Sequence, residues 1–300
     1  MVKPIKAAPP VTPDMLPNRT PFEAQFEMFK RGMELTSMDD YAGAEKQWTE
    51  IIEAFETPAW KQSSYGNRYM LARAYANRGM ARLALSRTRE AILDHSYSID
   101  LAPDHTEFWL NRGVAYEDMA DRELMVENKD NSHADMFYQS ALSDYDHALV
   151  LSPQDSEIYI SRGDTLGLLR KPDEALGQFK RAVELDPNTP SYRAKLALAE
   201  IQCGHLDDGA RQLKGILRRF PDFPEALLMA ASCAWEMGDL SESVEMYDEA
   251  LGLDGRLYDD KYVYLVLRWP SLPLNMLKNL RKAGTEDRLG SVRTLRGAKT

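Results

Sequence analysis

Cysteine is nearly missing. Cys203 and Cys233 are the two in 300 residues, which excludes a disulfide framework and a CxxC metal pattern. Such usage fits a reducing compartment, with both thiols acting as small buried hydrophobes. Long apolar runs are also missing: the longest nearly apolar stretch, Ala226 to Trp235, is about half of the roughly 20 residues that cross a bilayer, so no transmembrane segment is expected. The N-terminus, MVKPIKAAPP, lacks the apolar stretch of a secretory signal, and it is too short and Pro-rich for an organelle transit peptide. Either no import occurs or a presequence was removed. No phosphate-cradling GxxxxGKS/T, no GxGxxG after a strand, no HExxH and no GxSxG occurs. His95, His105, His133, His147 and His205 lack ligand spacing, and the Asp-His pairs at 94–95, 104–105 and 146–147 fall at different phases of the pattern described below. No catalytic residue, metal site or cofactor is therefore expected.

Basic charge is scarce except at one end. Net charge is −10. Residues 256 to 300 hold ten Lys/Arg against four Asp/Glu, which leaves −16 for residues 1 to 255. An acidic body argues against nucleic acid as the main ligand, because phosphate binding needs a clustered basic face. Hydrophobic content of 44% with 28% charged residues is that of a soluble, folded, helix-rich chain. Residues 1–21 carry Pro4, Pro9, Pro10, Pro13, Pro17 and Pro21 and are expected to be a flexible or extended arm. The Asn18-Arg19-Thr20 sequon within it is expected to be coincidental.

What is present is a repeat. Ser156 to Thr189 carries Tyr159, Gly163, Ala175, Phe179, Ala182 and Pro187, and these offsets return along the chain. Units fall near 25–58 (Gly32, Tyr41, Ala44, Trp48), 72–105 (Tyr75, Gly79, Ala91, with His95 in the aromatic place) and 106–155 (Trp109, Gly113, Ala141, Tyr145). Three more follow in strict register at 156–189, 190–223 and 224–257. The unit at 190–223 is degenerate, with Arg193, Ala197 and Gly209 in place of aromatic, Gly and Ala. The spacing excess before residue 72 makes Ala59 to Leu71 a linker or a helix extension. The third unit holds a 16-residue insertion, about 121–136, containing the turn-forming Asn128-Lys129-Asp130-Asn131. It is expected to project as a partly helical loop, serving either as a partner-contact finger or as a tolerated solvated insertion.

These offsets resemble the tetratricopeptide repeat (TPR) family. The resemblance implies an all-α fold, a right-handed superhelix (α-solenoid) of about six helix–turn–helix repeats over 22–257 that acts as a protein-binding scaffold. After it, LYDDKYVYLVLR at 257–268 is expected to be a capping helix over the open end of the stack. Within 258–282, Leu272 to Lys282 forms a short basic amphipathic helix with Leu274, Met276, Leu277 and Leu280 on one side and Lys278, Arg281 and Lys282 around the other. Residues 283–300 are expected to be a disordered basic tail. NRG at 77–79 and 111–113, SRG at 161–163 and the Arg268-Trp269-Pro270 stretch before a Leu-rich helix also resemble TPR proteins of cyanobacteria and chloroplasts. That likeness implies assembly or maintenance of photosynthetic membrane complexes.

In TPR proteins ligands usually lie on the concave face of the first helices. Carried onto this chain residue by residue, that face holds Glu107, Glu117, Asp118, Glu157, Asp164, Glu225 and Glu236 opposed by Arg73. Interleaved with them are Met80, Leu110, Val114, Ile160, Leu168, Leu198, Ile201, Leu228 and Trp235. The resemblance thus implies an acidic, apolar groove suited to a partner protein with a basic or amphipathic segment. Ala76, Met80, Glu157 and Ser161 stand where carboxylate-clamp repeats need Lys, Asn, Lys and Arg, which disfavours chaperone tails. The basic helix at 272–282 is itself a candidate occupant of the groove. The alternatives are a weak contact with an anionic membrane surface or a nucleic-acid association through the same helix.

Overall fold

The computed structural model describes residues 20–55, 65–125 and 132–285, and among these every regular element is helical, with no strand. The chain divides into two compact units, Met1–Gln154 and Asp155–Thr300. In the first unit, α1 (Thr20–Ser37) pairs with α2 (Tyr41–Phe55), α3 (Tyr65–Ala84) with α4 (Thr88–Leu101), and α5 (Thr106–Leu124) with α6 (Ser132–Leu151). In the second, α7 (Ser156–Leu168) pairs with α8 (Pro172–Leu185), α9 (Pro190–Gln202) with α10 (Leu206–Arg219), and α11 (Pro224–Glu236) with α12 (Leu240–Leu253). A 3-10 turn (Gly255–Tyr258), a π-helical turn (Tyr262–Val266) and α13 (Ser271–Thr285) complete it. Both units are stacks of helical hairpins, the architecture of an α-solenoid.

One contact recurs inside the hairpins. A Cβ built on Gly32 would lie 2.7 Å from the Trp48 ring, one on Gly79 2.8 Å from His95, one on Gly113 2.4 Å from Tyr145 and one on Gly163 2.7 Å from Phe179. The glycine lets the ring of the second helix rest on the backbone of the first, and a methyl group at any of these sites must displace that ring. The turn between paired helices recurs too. Asp39, Ser86 and Arg170 have positive φ, as do Gly204 and Gly238, and residues 170, 204 and 238 are one repeat length apart. Each ends its first helix in the left-handed conformation that glycine takes without strain. Pro172, Pro190 and Pro224 then open α8, α9 and α11, where a missing N–H costs nothing.

The NRG tripeptides have a local structural role. The Arg78 guanidinium donates to both Asp94 oxygens at 2.9 and 2.8 Å, Arg82 adds a third bond to Asp94 at 2.8 Å, and Arg112 grips Asp144 through two bonds of 2.8 Å. Arg78 also lies over the Tyr75 ring, and Arg112 over Trp109. Each clasp joins a first helix to its second by a bidentate, charge-assisted pair. In α7 and α8 the matching place belongs to Gln178.

Several expectations change. Thr20 and Pro21 belong to α1, so the extended arm does not reach residue 21; its residues 1–19 lie outside the described residues. The spacing excess before the second repeat is partly spent on α3, which begins at Tyr65; residues 56–64 lie outside the description. The insertion does not form a separate finger at either end. It lengthens α5 to 19 residues and α6 to 20, against 13 in α7 and 14 in α8, and residues 126–131, with the Asn128–Asn131 cluster, lie outside the description. The capping segment is not a continuous α-helix. Leu257, Val263, Leu267 and Trp269 are all buried in one cluster, a spacing that no single face of an α-helix can satisfy, and the wide turn from Tyr262 to Val266 re-aims them. Residues 286–300 of the basic tail lie outside the described residues.

Candidate protein-binding faces

In the first unit, several residues expected to line a groove are engaged with neighbouring side chains of the same unit. Glu117 is 1% exposed, and its carboxylate accepts a 2.9 Å bond from the Tyr145 hydroxyl of its own hairpin. Asp118 accepts from Thr88 Oγ1 and from Arg122 Nε at 2.5 Å. Arg73 is buried and lies over the Tyr69 ring at 5.9 Å. Burial pushes the Arg73 pKa down, while Tyr69 and Glu107 act in the opposite direction. Tyr69 in turn stacks on His105 with centroids 4.2 Å apart, and His105 Nδ1 is 3.6 Å from Glu107. Leu110 and Val114 are buried, whereas Met80 and Glu107 stay half-buried. Position in the repeat placed Glu117 on the inner face; the structure turns its carboxylate into the hairpin, because an ion held there needs the tyrosine donor.

The second unit is covered. Leu274, Met276, Leu277 and Leu280 of α13 are buried in one cluster with Leu198 and Ile201 of α9 and Leu228 of α11, and α13 touches both of those first helices. Sequence reasoning gave the helix and the groove as separate features with docking as a candidate; the structure brings them together. Trp235 packs against the same cluster, and Glu236 accepts a bond from Asn279 at 3.4 Å. Lys278 and Lys282 are exposed, while Arg281 turns back to Asp260 and the Leu257 carbonyl. Glu157 and Ile160 on α7 remain half-buried.

The strap that delivers α13 was not foreseen. Lys195 Nζ on α9 donates to Asp164 at 2.8 Å and to the Leu267 carbonyl at 2.7 Å. Gln202 accepts from the Leu272 amide at 2.8 Å and lies 3.5 Å from Ser271 Oγ. Both tethering side chains come from the degenerate unit, and its departure from the repeat pattern was the signal that could have found them. Asp164, expected to face a partner, instead neutralises Lys195. Burial raises the Glu225 carboxyl above the usual range; Lys195 opposes this, and Asp254 and Asp164 reinforce it.

Among the described residues no group of three His, Cys, Asp or Glu could hold a metal ion, and no helix is long and apolar enough to cross a membrane. His95, His105 and His147 go separate ways: one is buried beside Gly79, one is stacked on Tyr69, and one is stacked on Trp109 at 4.4 Å. Cys203 and Cys233 are both free.

Tetratricopeptide repeat family models match residues 156–189 and 194–257. The second unit carries tetratricopeptide repeats. Similar TPR folds include a repeat protein of Parabacteroides merdae, with a TM-score of 0.59, 14% identity and coverage of 86% of this chain and 98% of that one. Yeast Tom70 follows at a TM-score of 0.57 and 20% identity over 94% of this chain and 56% of its own. Human TOM70, a mitochondrial import receptor subunit, is 22% identical over 118 residues, 37% of this chain and 19% of that protein. The chain spans less than a third of the length of the curated relatives it matches.

Proposed function

We propose that this TPR protein is a non-enzymatic scaffold that holds a protein partner on the faces of its first helices, and that the partner presents a basic or amphipathic segment. The observation that carries this is α13: a basic amphipathic helix of the chain itself lies on α9 and α11, where the repeat architecture leads a ligand to be expected. The similarity to human TOM70, an import receptor subunit, supports the class of receptor or scaffold. A role in assembling or maintaining photosynthetic membrane complexes in the chloroplast is the finer form of the proposal. It rests on the NRG, SRG and Arg-Trp-Pro stretches alone, and a fluorescent fusion found outside plastids would overturn it. A membrane or nucleic-acid role for the basic helix gains no support, because the leucines it would offer to lipid are buried on protein.

Affinity capture with the tagged full chain tests the scaffold. Glu107→Lys, Glu157→Lys and Glu236→Lys together reverse charge at half-buried or exposed first-helix sites, sparing Glu117 and Asp164, whose buried bonds hold the fold. Loss of the captured partners is expected. Partners retained in full by the reversed protein would sink the charged-face model.

A further inference from the structure

We propose that the inner face of the second unit is a helix-receiving groove in which α13 is a displaceable resident, and that a partner helix with leucines on one side and Lys/Arg on the other binds there by exchange. This inference rests on the scaffold reading and specifies its site and its partner.

Three observations carry it. First, the seat is built for the purpose. Gln202 fastens a main-chain amide in the first turn of α13 and Lys195 a carbonyl of the strap before it, contacts that do not depend on the side chains of the segment held and so serve another chain equally well. The neighbouring apolar floor takes side chains at helical spacing: Leu277 and Leu280 are 0% and 1% exposed. Second, the charge is complementary. Asp164 is already paired with Lys195, whereas Glu236 at the end of α11 is exposed and faces Asn279, a neutral partner. A helix with a lysine or arginine in the place of Asn279 gains an ion pair that α13 does not make.

Third, the segment that docks α13 carries strain that docking must maintain. Arg268 has φ +58, and unlike Asp39, Ser86 and Arg170 it does not sit at the turn between paired helices. The π-helical turn from Tyr262 to Val266 is the rarest helical geometry and marks positions where the regular ladder is broken for a reason. The Trp269 indole is fully buried, and its N–H has no acceptor among the described residues. Each of these is unfavourable by itself and persists only while the surrounding packing holds it. Release of the strap together with α13 relaxes all three, which narrows the difference between the closed and open states that a partner must supply.

A fluorescently labelled peptide with the sequence of residues 271–285 is the probe. It is titrated against the full chain and against the full chain carrying Leu277→Asp and Leu280→Asp, which drives α13 from its seat. The apparent affinity is expected to rise by at least about 100-fold in the variant, since the competent fraction limits binding to the closed protein. The same peptide carrying both aspartates should not bind. Equal affinity for the two proteins, or no binding to a variant with unchanged helical content, overturns the inference.

Should that variant fail to fold, Gln202→Ala in the full chain cuts only the polar tether at the first turn of α13, and faster amide exchange along α13 with intermediate peptide affinity is expected; unchanged exchange and affinity refute exchangeability. A stable dimer of the intact chain that the aspartate variant fails to form would assign the groove to a second copy and overturn the partner assignment. Partners captured equally by the intact and open proteins would refute displacement while leaving the scaffold standing. Peptide binding to the open protein, combined with capture indifferent to the charge reversal, would do the reverse.

Discussion

The His95→Phe substitution should remove most of an acid-dependent weakness from the first unit. The His95 ring is 0% exposed, and neither of its nitrogens has a hydrogen-bond partner among the described residues. It rests against Gly79 in the place that Trp48, Tyr145 and Phe179 fill in other hairpins. Burial, helped by the nearby positive charge of Arg112, lowers its pKa from 6.5 to about 3. The depressed value belongs to a base, so the folded state resists a proton that the unfolded chain accepts. Stability is intact above pH 6.5 and is lost as pH falls from there towards about 3. With about 1.4 kcal/mol per pH unit, the loss is about 2 kcal/mol at pH 5 and small at pH 7.5. Phenylalanine does not titrate and leaves no buried nitrogen unsatisfied, so the variant should also gain about 1–3 kcal/mol at neutral pH.

Urea unfolding of the two proteins at pH 7.5 and pH 5.0 is the assay. Carboxylates common to both cancel in the comparison. With a slope of about 2 kcal/mol per molar, the wild-type midpoint should fall by about 1 M more than that of the variant over this interval. An equal fall in both would mean that His95 is protonated in the folded state or is not buried, and would refute the reasoning.

Three further outcomes are expected. Gly163→Ala forces the Phe179 ring from its seat 2.7 Å away and should destabilise the second unit by about 1–3 kcal/mol, read as a lowered melting temperature. Arg112→Met leaves Asp144 buried without its two bonds and should lower the stability of the first unit by about 3–5 kcal/mol, with Arg112→Met/Asp144→Leu recovering part of it in denaturant unfolding. Burial raises the Cys203 thiol and pushes Cys233 up to about 12. Iodoacetamide at pH 8 should therefore label the half-buried Cys203 slowly and Cys233 only after denaturation, as read by peptide mass spectrometry.

The hairpins were legible from the sequence because their constraint is local. Gly163 and Phe179 must meet for two helices to approach, and residues obeying such a contact keep a fixed spacing. Two other features followed different physics. The insertion was read as a projecting, partly helical loop from its polarity; its described residues extend both helices, and the Tyr138 hydroxyl donates to Asp121 at 2.6 Å across the lengthened pair, a pairing that polarity alone does not reveal. Position in the repeat did not reveal the partners of Glu117 and Asp164. Tyr145 lies on the other helix of the same hairpin and Lys195 in the next repeat, and side-chain direction within a face is decided by whichever donor is near enough to offset burial. The seat of α13 was hidden for the opposite reason. It is written in the repeat that departs most from the pattern, where Lys195 and Gln202 read as degeneracy rather than as tethers.

The strap also fixes how many repeats the second unit can have. Arrays of this kind lengthen and shorten by duplication and loss of whole hairpins, since each unit contacts only its neighbours. Here the end of the chain returns to α9 while its helix lies on α11 as well. An extra hairpin copied in between would separate the two supports of one short helix, and a deletion would remove one of them. Such a clasp works as a counting device, leaving growth and loss of repeats to the parts of the chain before α9.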